Sequence, residues 1–299
     1  MENAMRQTAQ PTFNLHFYTE NVYFCKLNVH RDMSLSTWIK TLPPRGKYTF
    51  TRVDLALQFP NVKPHTLHIA ISREIKKQVI FSPWRGFYVI IPDEYKLSGI
   101  VPQTFYINEL MTFLNKPYYV SLLNAAQHYG AAHQAPMSFF VMIEPPTMRD
   151  KITDKYKTHF IQKRSIPTKY LERTAVQTGW IYYSSVELTA IDLITYRHNI
   201  GGLDRASTVL AELMEKTNFS KVDTDLLKTA PLASFQRLGF ICETVLGKKR
   251  AANNIYKLIL KGNEPMRIIP LKSNAPINNS PLNKRWKILE NFDIEIDSV

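Results

Sequence analysis

Apolar residues between Ser34 and Ile91 fall into three short helical clusters and then two unbroken runs. Ser34-Leu35-Ser36-Thr37-Trp38-Ile39 begins a helix that stops at Pro43-Pro44. The second proline forbids helical geometry before it, and the first removes a donor. A second helix opens at Thr51, where Thr51-Arg52-Val53-Asp54 has capping-box spacing with Asp in the Glu position. Val53, Leu55, Ala56 and Phe59 give it apolar surface, and Pro60-Asn61 ends it. The third helix starts at Pro64, a residue tolerated in a first turn because its missing donor would be unpaired there. Val79-Ile80-Phe81 and Phe87-Tyr88-Val89-Ile90-Ile91 then read as strands joined by Ser82-Pro83-Trp84-Arg85-Gly86.

Helix, helix, helix, hairpin is the order of a winged helix-turn-helix, which sets one helix in the major groove and the hairpin on flanking phosphates. After a connector at Pro92–Pro102 the rhythm changes to alternating helices and strands richer in apolar residues. A helix is expected over Pro117–Gly130 and a buried strand over Met137–Ile143, with further strands at Thr158–Ile166 and Ala175–Tyr183. Ser184 and Glu187 frame a capping box before Leu188, Ile191 and Ile194, and Asp204 opens a helix through Met214. Leu232, Phe235, Leu238 and Ile241 keep helical spacing up to Gly247, as do Ile255, Leu258 and Ile259 before Gly262. Trp286, Ile288, Phe292, Ile294 and Ile296 alternate like a last strand. The expected class is α/β, or α+β. It comprises an N-terminal extension (1–31), a winged helix-turn-helix (32–95), a linker (96–104) and a larger mixed α/β C-terminal domain (105–299). Phe13–Leu27 of the extension is aromatic, suited to a strand or a packed arm.

On a wheel of about 100° per residue, Leu67, Ala70, Ile71, Ile75 and Gln78 of the third helix share one side, as a core stripe requires. His65, Thr66, Ile69, Ser72, Arg73 and Lys76 face away, where residues near the N-terminus would meet base edges and later ones phosphates. Ile69 could pack on a thymine methyl and Arg73 address guanine or phosphate. Arg85 at the hairpin tip suits backbone contact or minor-groove insertion. Composition points the same way: 38 Lys and Arg against 25 Asp and Glu leave +13, which favours a polyanionic partner. Lys151, Lys155, Lys157, Lys163, Arg164, Lys169 and Arg173 form either a solubilising face or an extended phosphate-binding surface.

Catalytic patterns are sparse. Pro92-Asp93-Glu94-Tyr95-Lys96 has the residues of a PD…ExK nuclease site, but its acids are contiguous and cannot hold one ion from two sides. His65 with His68, and His128 with His133, lack HExxH spacing. Asp293, Glu295 and Asp297 alternate, either as a solvated row or as a cation site. Neither P-loop, nucleophile elbow nor kinase set occurs. No enzyme, cofactor or metal is therefore expected. Cys25 and Cys242 form no CxxC pair and read as reduced thiols. No apolar run approaches the roughly 18 residues of a membrane helix, so a cytoplasmic protein without membrane contact is expected.

With both halves in view, residues 35 to 297 resemble the AbiEi family. The likeness rests on six blocks in order: Ala70-Ile71-Ser72-Arg73 with Arg85-Gly86-Phe87-Tyr88; Tyr118 to Ala126; Glu187 to Leu193; Gly201-Gly202-Leu203-Asp204-Arg205; Arg237-Leu238-Gly239; and Arg285-Trp286. Glu74 and Gln78 depart from the family pattern, which has an apolar residue and commonly a glycine there. The resemblance implies an antitoxin of a type IV toxin-antitoxin, or abortive-infection, system. Its winged part would bind inverted repeats in its own promoter as a repressor, and its C-terminal domain would counter a nucleotidyltransferase-like toxin without a stable complex. A monomer or weak dimer is expected, with two copies on the two-fold operator. Two other readings remain open: an enzyme acting on nucleic acid whose winged module delivers a catalytic domain, and a direct toxin-binding module.

Overall fold

The computed structural model describes residues 33–131 and 136–296; Phe13–Leu27, Cys25, His133 and Asp297 lie outside them. The first helix, α1 (Leu35–Thr41), starts where Ser34 accepts from the Thr37 N–H. The capping box forms as expected at the head of α2 (Arg52–Gln58), with Thr51 and Asp54 each accepting from the other's backbone N–H. Between these helices lies an unanticipated three-residue strand, β1 (Thr49–Thr51). Helix α3 (Pro64–Lys76) follows, then the hairpin β2 (Ile80–Trp84) and β3 (Phe87–Ile90). Together these make a three-stranded antiparallel sheet in the order β1-β3-β2.

Helix α3 sits rotated from the wheel's expectation. Ile71 and Glu74 are buried and Leu67 and Ala70 partly so, whereas Ile75 and Gln78 are open to solvent. Its C-terminus explains the difference. Gln78 turns left-handed (φ 54), Val79 N–H donates to the Glu74 carbonyl and Gln78 N–H to that of Ile75. This Schellman closure takes the chain off the helix before Gln78 can reach the core.

The larger part begins with α4 (Ile107–Phe113), which the sequence pattern did not reveal. It then builds a six-stranded mixed sheet from β4 (Tyr118–Val120), β5 (Phe139–Ile143), β6 (Lys151–Ile152), β7 (Lys157–Gln162), β8 (Leu171–Val176) and β9 (Gly179–Ser184). Their order is β6-β7-β5-β4-β9-β8. Pro117–Gly130 is thus not one helix. Tyr118–Val120 joins the sheet, and only α5 (Leu122–His128), which opens on a left-handed Leu122 (φ 56), is helical. Ala175–Tyr183 is likewise the turn of the β8–β9 hairpin rather than one strand, folded back at Gly179 (φ 135). Ser185, not Ser184, caps α6 (Val186–Thr195) by accepting from Leu188 N–H. After α7 (Leu203–Leu213), α8 (Leu232–Phe240) runs into a π-turn (Ile241–Val245) and then α9 (Lys249–Lys261). The expected final strand shrinks to β12 (Ile288–Leu289), in a small sheet with β10 (Ile269–Pro270) and β11 (Leu282–Asn283).

Strand alternation splits the interior into three cores. Tyr119, Phe140 and Met142 face α6 to α9 on one side of the large sheet. Tyr118, Val120, Val141 and Ile143 face the other side, where they meet Phe87 and Val89 of β3 and Val101 of the expected linker. Tyr88 and Ile90, pointing oppositely on β3, complete the third core with Trp38, Phe50 and Ile71. The hairpin therefore packs on both its faces.

Candidate nucleic-acid interface

Helix α3 presents His65, Thr66, Ile69, Arg73 and Lys76 to solvent, with Ile69 39 % exposed. Ser72 is half-buried, and its hydroxyl donates back to the His68 carbonyl at 3.0 Å, so it lies on the shoulder of this face. Arg73 and Lys76 occupy the last turn, and among the described residues neither has an ion-pair partner. Lys77 is held by Glu74 at 3.0 Å.

At the hairpin tip Arg85 is exposed and Gly86 (φ 85) supplies the turn geometry. Sequence reasoning missed a companion. Arg52 at the head of α2 donates its N–H to the Gly86 carbonyl at 3.0 Å, and its side-chain stem lies about 3.5 Å from where a Gly86 Cβ would be. Arg52 and Arg85 thus share the tip. The only signal is that Thr51 pairs with Phe87 in register, which needs the sheet to be known.

The β2–β3 hairpin is anchored, not free. Trp84 meets Phe160 edge-on, with ring centroids 6.2 Å apart, and Lys151 Nζ sits 4.2 Å over its indole. Phe81 packs on Tyr106 and Tyr156, and Phe87 on Phe113. Pro83 is tolerated because it sits in a β2 bulge, where the Ser82 hydroxyl donates to the Trp84 and Phe87 carbonyls. Lys76 and Lys155 line a common groove of about 370 Å³ between α3 and the β6–β7 hairpin.

The other basic residues of the second domain divide. Lys155, Lys157 and Arg164 are exposed, Lys169 pairs with Asp223 and Asp225, and Arg173 stacks on Trp180. Lys163 is no surface cation. It is 4 % exposed and reaches Asp192 at 2.7 Å, while Tyr119 and Ser121 donate to the other Asp192 oxygen at 2.7 and 2.9 Å. Burial, reinforced by the Asp192 charge, pushes the Tyr119 phenol well above its ordinary value and keeps it a donor. This closed network ties β4, β7 and α6 together.

Residues 119–244 match the model of the AbiEi antitoxin C-terminal domain. The chain carries an AbiEi antitoxin domain. Its boundaries take in β4 through α8 and the whole Asp192 network. A crystal structure of the RV2827C protein from Mycobacterium tuberculosis shares the fold at a TM-score of 0.62 and 15 % identity, covering 85 % of this chain and 89 % of that one. No curated protein matches the sequence. Among the described residues, no helix is long and apolar enough to cross a membrane, and no cluster of three or more His, Cys, Asp or Glu could hold a metal ion.

Proposed function

We propose that residues 32–95 are a winged helix-turn-helix that represses the chain's own operon by binding inverted repeats in its promoter. The AbiEi antitoxin domain, within residues 105–299, would oppose a nucleotidyltransferase-like toxin without a stable complex. The observation that carries the DNA half is the solvent-facing surface of α3, with Arg73 and Lys76 unpaired among the described residues, on the same small module as Arg85 and Arg52. His65, Thr66 and Ile69 stand nearest the helix N-terminus and would meet base edges, with Ser72 alongside. Arg73 takes a base or phosphate, while Lys76 and Arg85 take phosphates. The protein works in the cytoplasm as a monomer or weak dimer that places two copies on each operator, and it performs no catalysis.

Fluorescence anisotropy with the DNA upstream of the gene tests this reading. Arg73→Ala should cost about 1–3 kcal/mol and relax discrimination at one base pair, whereas Lys76→Ala should weaken all sequences alike. Unchanged operator affinity in the double variant overturns the DNA assignment. Stoichiometric co-purification with the toxin would favour a toxin-binding module instead.

A further inference from the structure

The groove of about 370 Å³ between α3 and the β6–β7 hairpin takes its walls from four separate stretches of chain. Ile75 and Lys76 come from the last turns of α3, Phe81 from β2, Ile100 from the connector, and Lys155 and Tyr156 from the β6–β7 loop. Two of its apolar members are open to water, Ile75 at 38 % and Ile100 at 46 % exposure. The loop is fixed in place. Thr153 N–H donates to the Tyr156 carbonyl at 2.9 Å, and Tyr156 packs on Phe81 with ring centroids 6.1 Å apart. The cavity therefore exists before anything enters it. Lys76 and Lys155 also line it, against the single acid Asp154, and neither lysine has an ion pair among the described residues. Lys155 Nζ and Gln78 Oε1 lie 2.6 and 3.5 Å from where a Gly99 Cβ would stand, which brings the ammonium back toward the connector and the end of α3.

We propose that this groove binds a small amphipathic anion, an apolar or aromatic body carrying one carboxylate, and that its occupation weakens operator binding. Preformed clefts between domains, with apolar walls and a few convergent polar groups, are where such ligands bind, and about 370 Å³ lies in the lower part of their ~300–1,000 Å³ range. The apolar body covers Ile75, Phe81 and Ile100, and the carboxylate draws on Lys76 and Lys155. Inorganic phosphate or a nucleic-acid backbone would satisfy the lysines but leave the apolar walls bare. The regulatory half rests on the reading of α3 given above. A Lys76 engaged by the ligand is withdrawn from a DNA phosphate, and the linkage is reciprocal, so operator DNA weakens the ligand by the same factor.

Fluorescence titration of the full chain with anilinonaphthalene sulfonate, an aromatic body with one anionic group, tests the site without DNA. Phenylnaphthylamine is the same body without the charge. One saturable sulfonate site is expected. Ile100→Glu, at a residue already half open to water, should weaken both probes at least about tenfold. Lys155→Gln, at an exposed residue, should weaken the sulfonate at least about threefold and leave the naphthylamine unchanged. Sulfonate binding that neither substitution alters, or a Lys155→Gln effect equal for both probes, overturns the proposal. Anisotropy on the DNA upstream of the gene at about 100 mM KCl reads the coupling. Saturating sulfonate should weaken operator binding about three- to tenfold in the parent chain and not in Ile100→Glu. Equal operator affinity with and without bound sulfonate overturns the regulatory half. A chain that takes the sulfonate in the groove but binds no operator defeats the reading of α3 instead, and leaves the ligand site supported by the fluorescence.

Discussion

Gly239→Ala is the sharpest probe of how the antitoxin domain closes. Gly239 lies inside α8, where an alanine would ordinarily stabilise the helix by about 1 kcal/mol. Here a Cβ would stand 2.0 Å from Trp286 Cη2 and 2.1 Å from Cζ3, so the indole must move by more than an ångström. It has nowhere to go. Trp286 is fully buried, its Nε1–H donates to Glu243, Tyr256 packs edge-on at 5.4 Å and the Arg285 guanidinium lies 5.3 Å away. Overpacking costs about 1–3 kcal/mol, and a disturbed hydrogen bond to a carboxylate about 1.5–3. Less the helical gain, the net loss is about 1.5–5 kcal/mol. Urea denaturation followed by near-UV circular dichroism reads it. In a Trp286→Leu background the obstruction is gone, and the same alanine should be neutral or stabilising, giving a coupling of at least about 1.5 kcal/mol. Gly239→Ala at or above parental stability, or additive changes in the pair, would refute the reasoning.

Four further outcomes follow from other sites. Lys163→Met leaves the Asp192 charge buried without its cation and should cost about 3–5 kcal/mol in a denaturant titration, much of it recovered by adding Asp192→Leu. Gln78→Gly relieves a left-handed residue and should add about 0.5–1 kcal/mol. Glu74→Leu, replacing a buried carboxylate whose Oε2 has no partner among the described residues, should raise thermal stability without altering operator affinity. His128 stacks on Tyr183 with centroids 4.2 Å apart, and burial lowers its pKa below the ordinary 6.5 against the opposing charge of Glu172. The unfolded chain takes that proton more readily. Stability is therefore intact above about pH 6.5 and falls as pH drops through the depressed folded value. His128→Gln should flatten that part of the pH profile.

Features determined by neighbouring residues were legible in the sequence. The Thr51–Asp54 box, the Gly86 turn and the α6 stripe each need only a few consecutive positions, and each stands where expected. What escaped depends on partners distant in the chain. Three residues of β1 cannot show a period, and only pairing with Phe87–Val89 makes them a strand. Lys163 sits between Gln162 and Arg164 and looks like surface. Yet it follows Ile161 by two, and strand parity turns both toward the helical core. The family blocks Arg237-Leu238-Gly239 and Arg285-Trp286 had no evident reason until α8 met the small sheet. There Arg237 donates to the Leu271 and Pro270 carbonyls and Gly239 admits the indole.

Strand β3 makes the two halves of the chain one folding unit. A three-stranded antiparallel sheet in isolation could leave one face to water, but Phe87 and Val89 are buried against the large domain while Tyr88 and Ile90 fill the small core. A fragment of residues 33–95 would expose Phe81, Trp84, Phe87, Val89 and Ile91 together, each losing up to about 1.5–3 kcal/mol of burial. It would also lose the Phe160 and Lys151 contacts that hold the hairpin. Such a fragment should self-associate in size-exclusion chromatography and bind operator DNA more weakly than the full chain, although it keeps every proposed contact residue. A monomeric fragment with full operator affinity would show that the hairpin needs no support from the antitoxin domain.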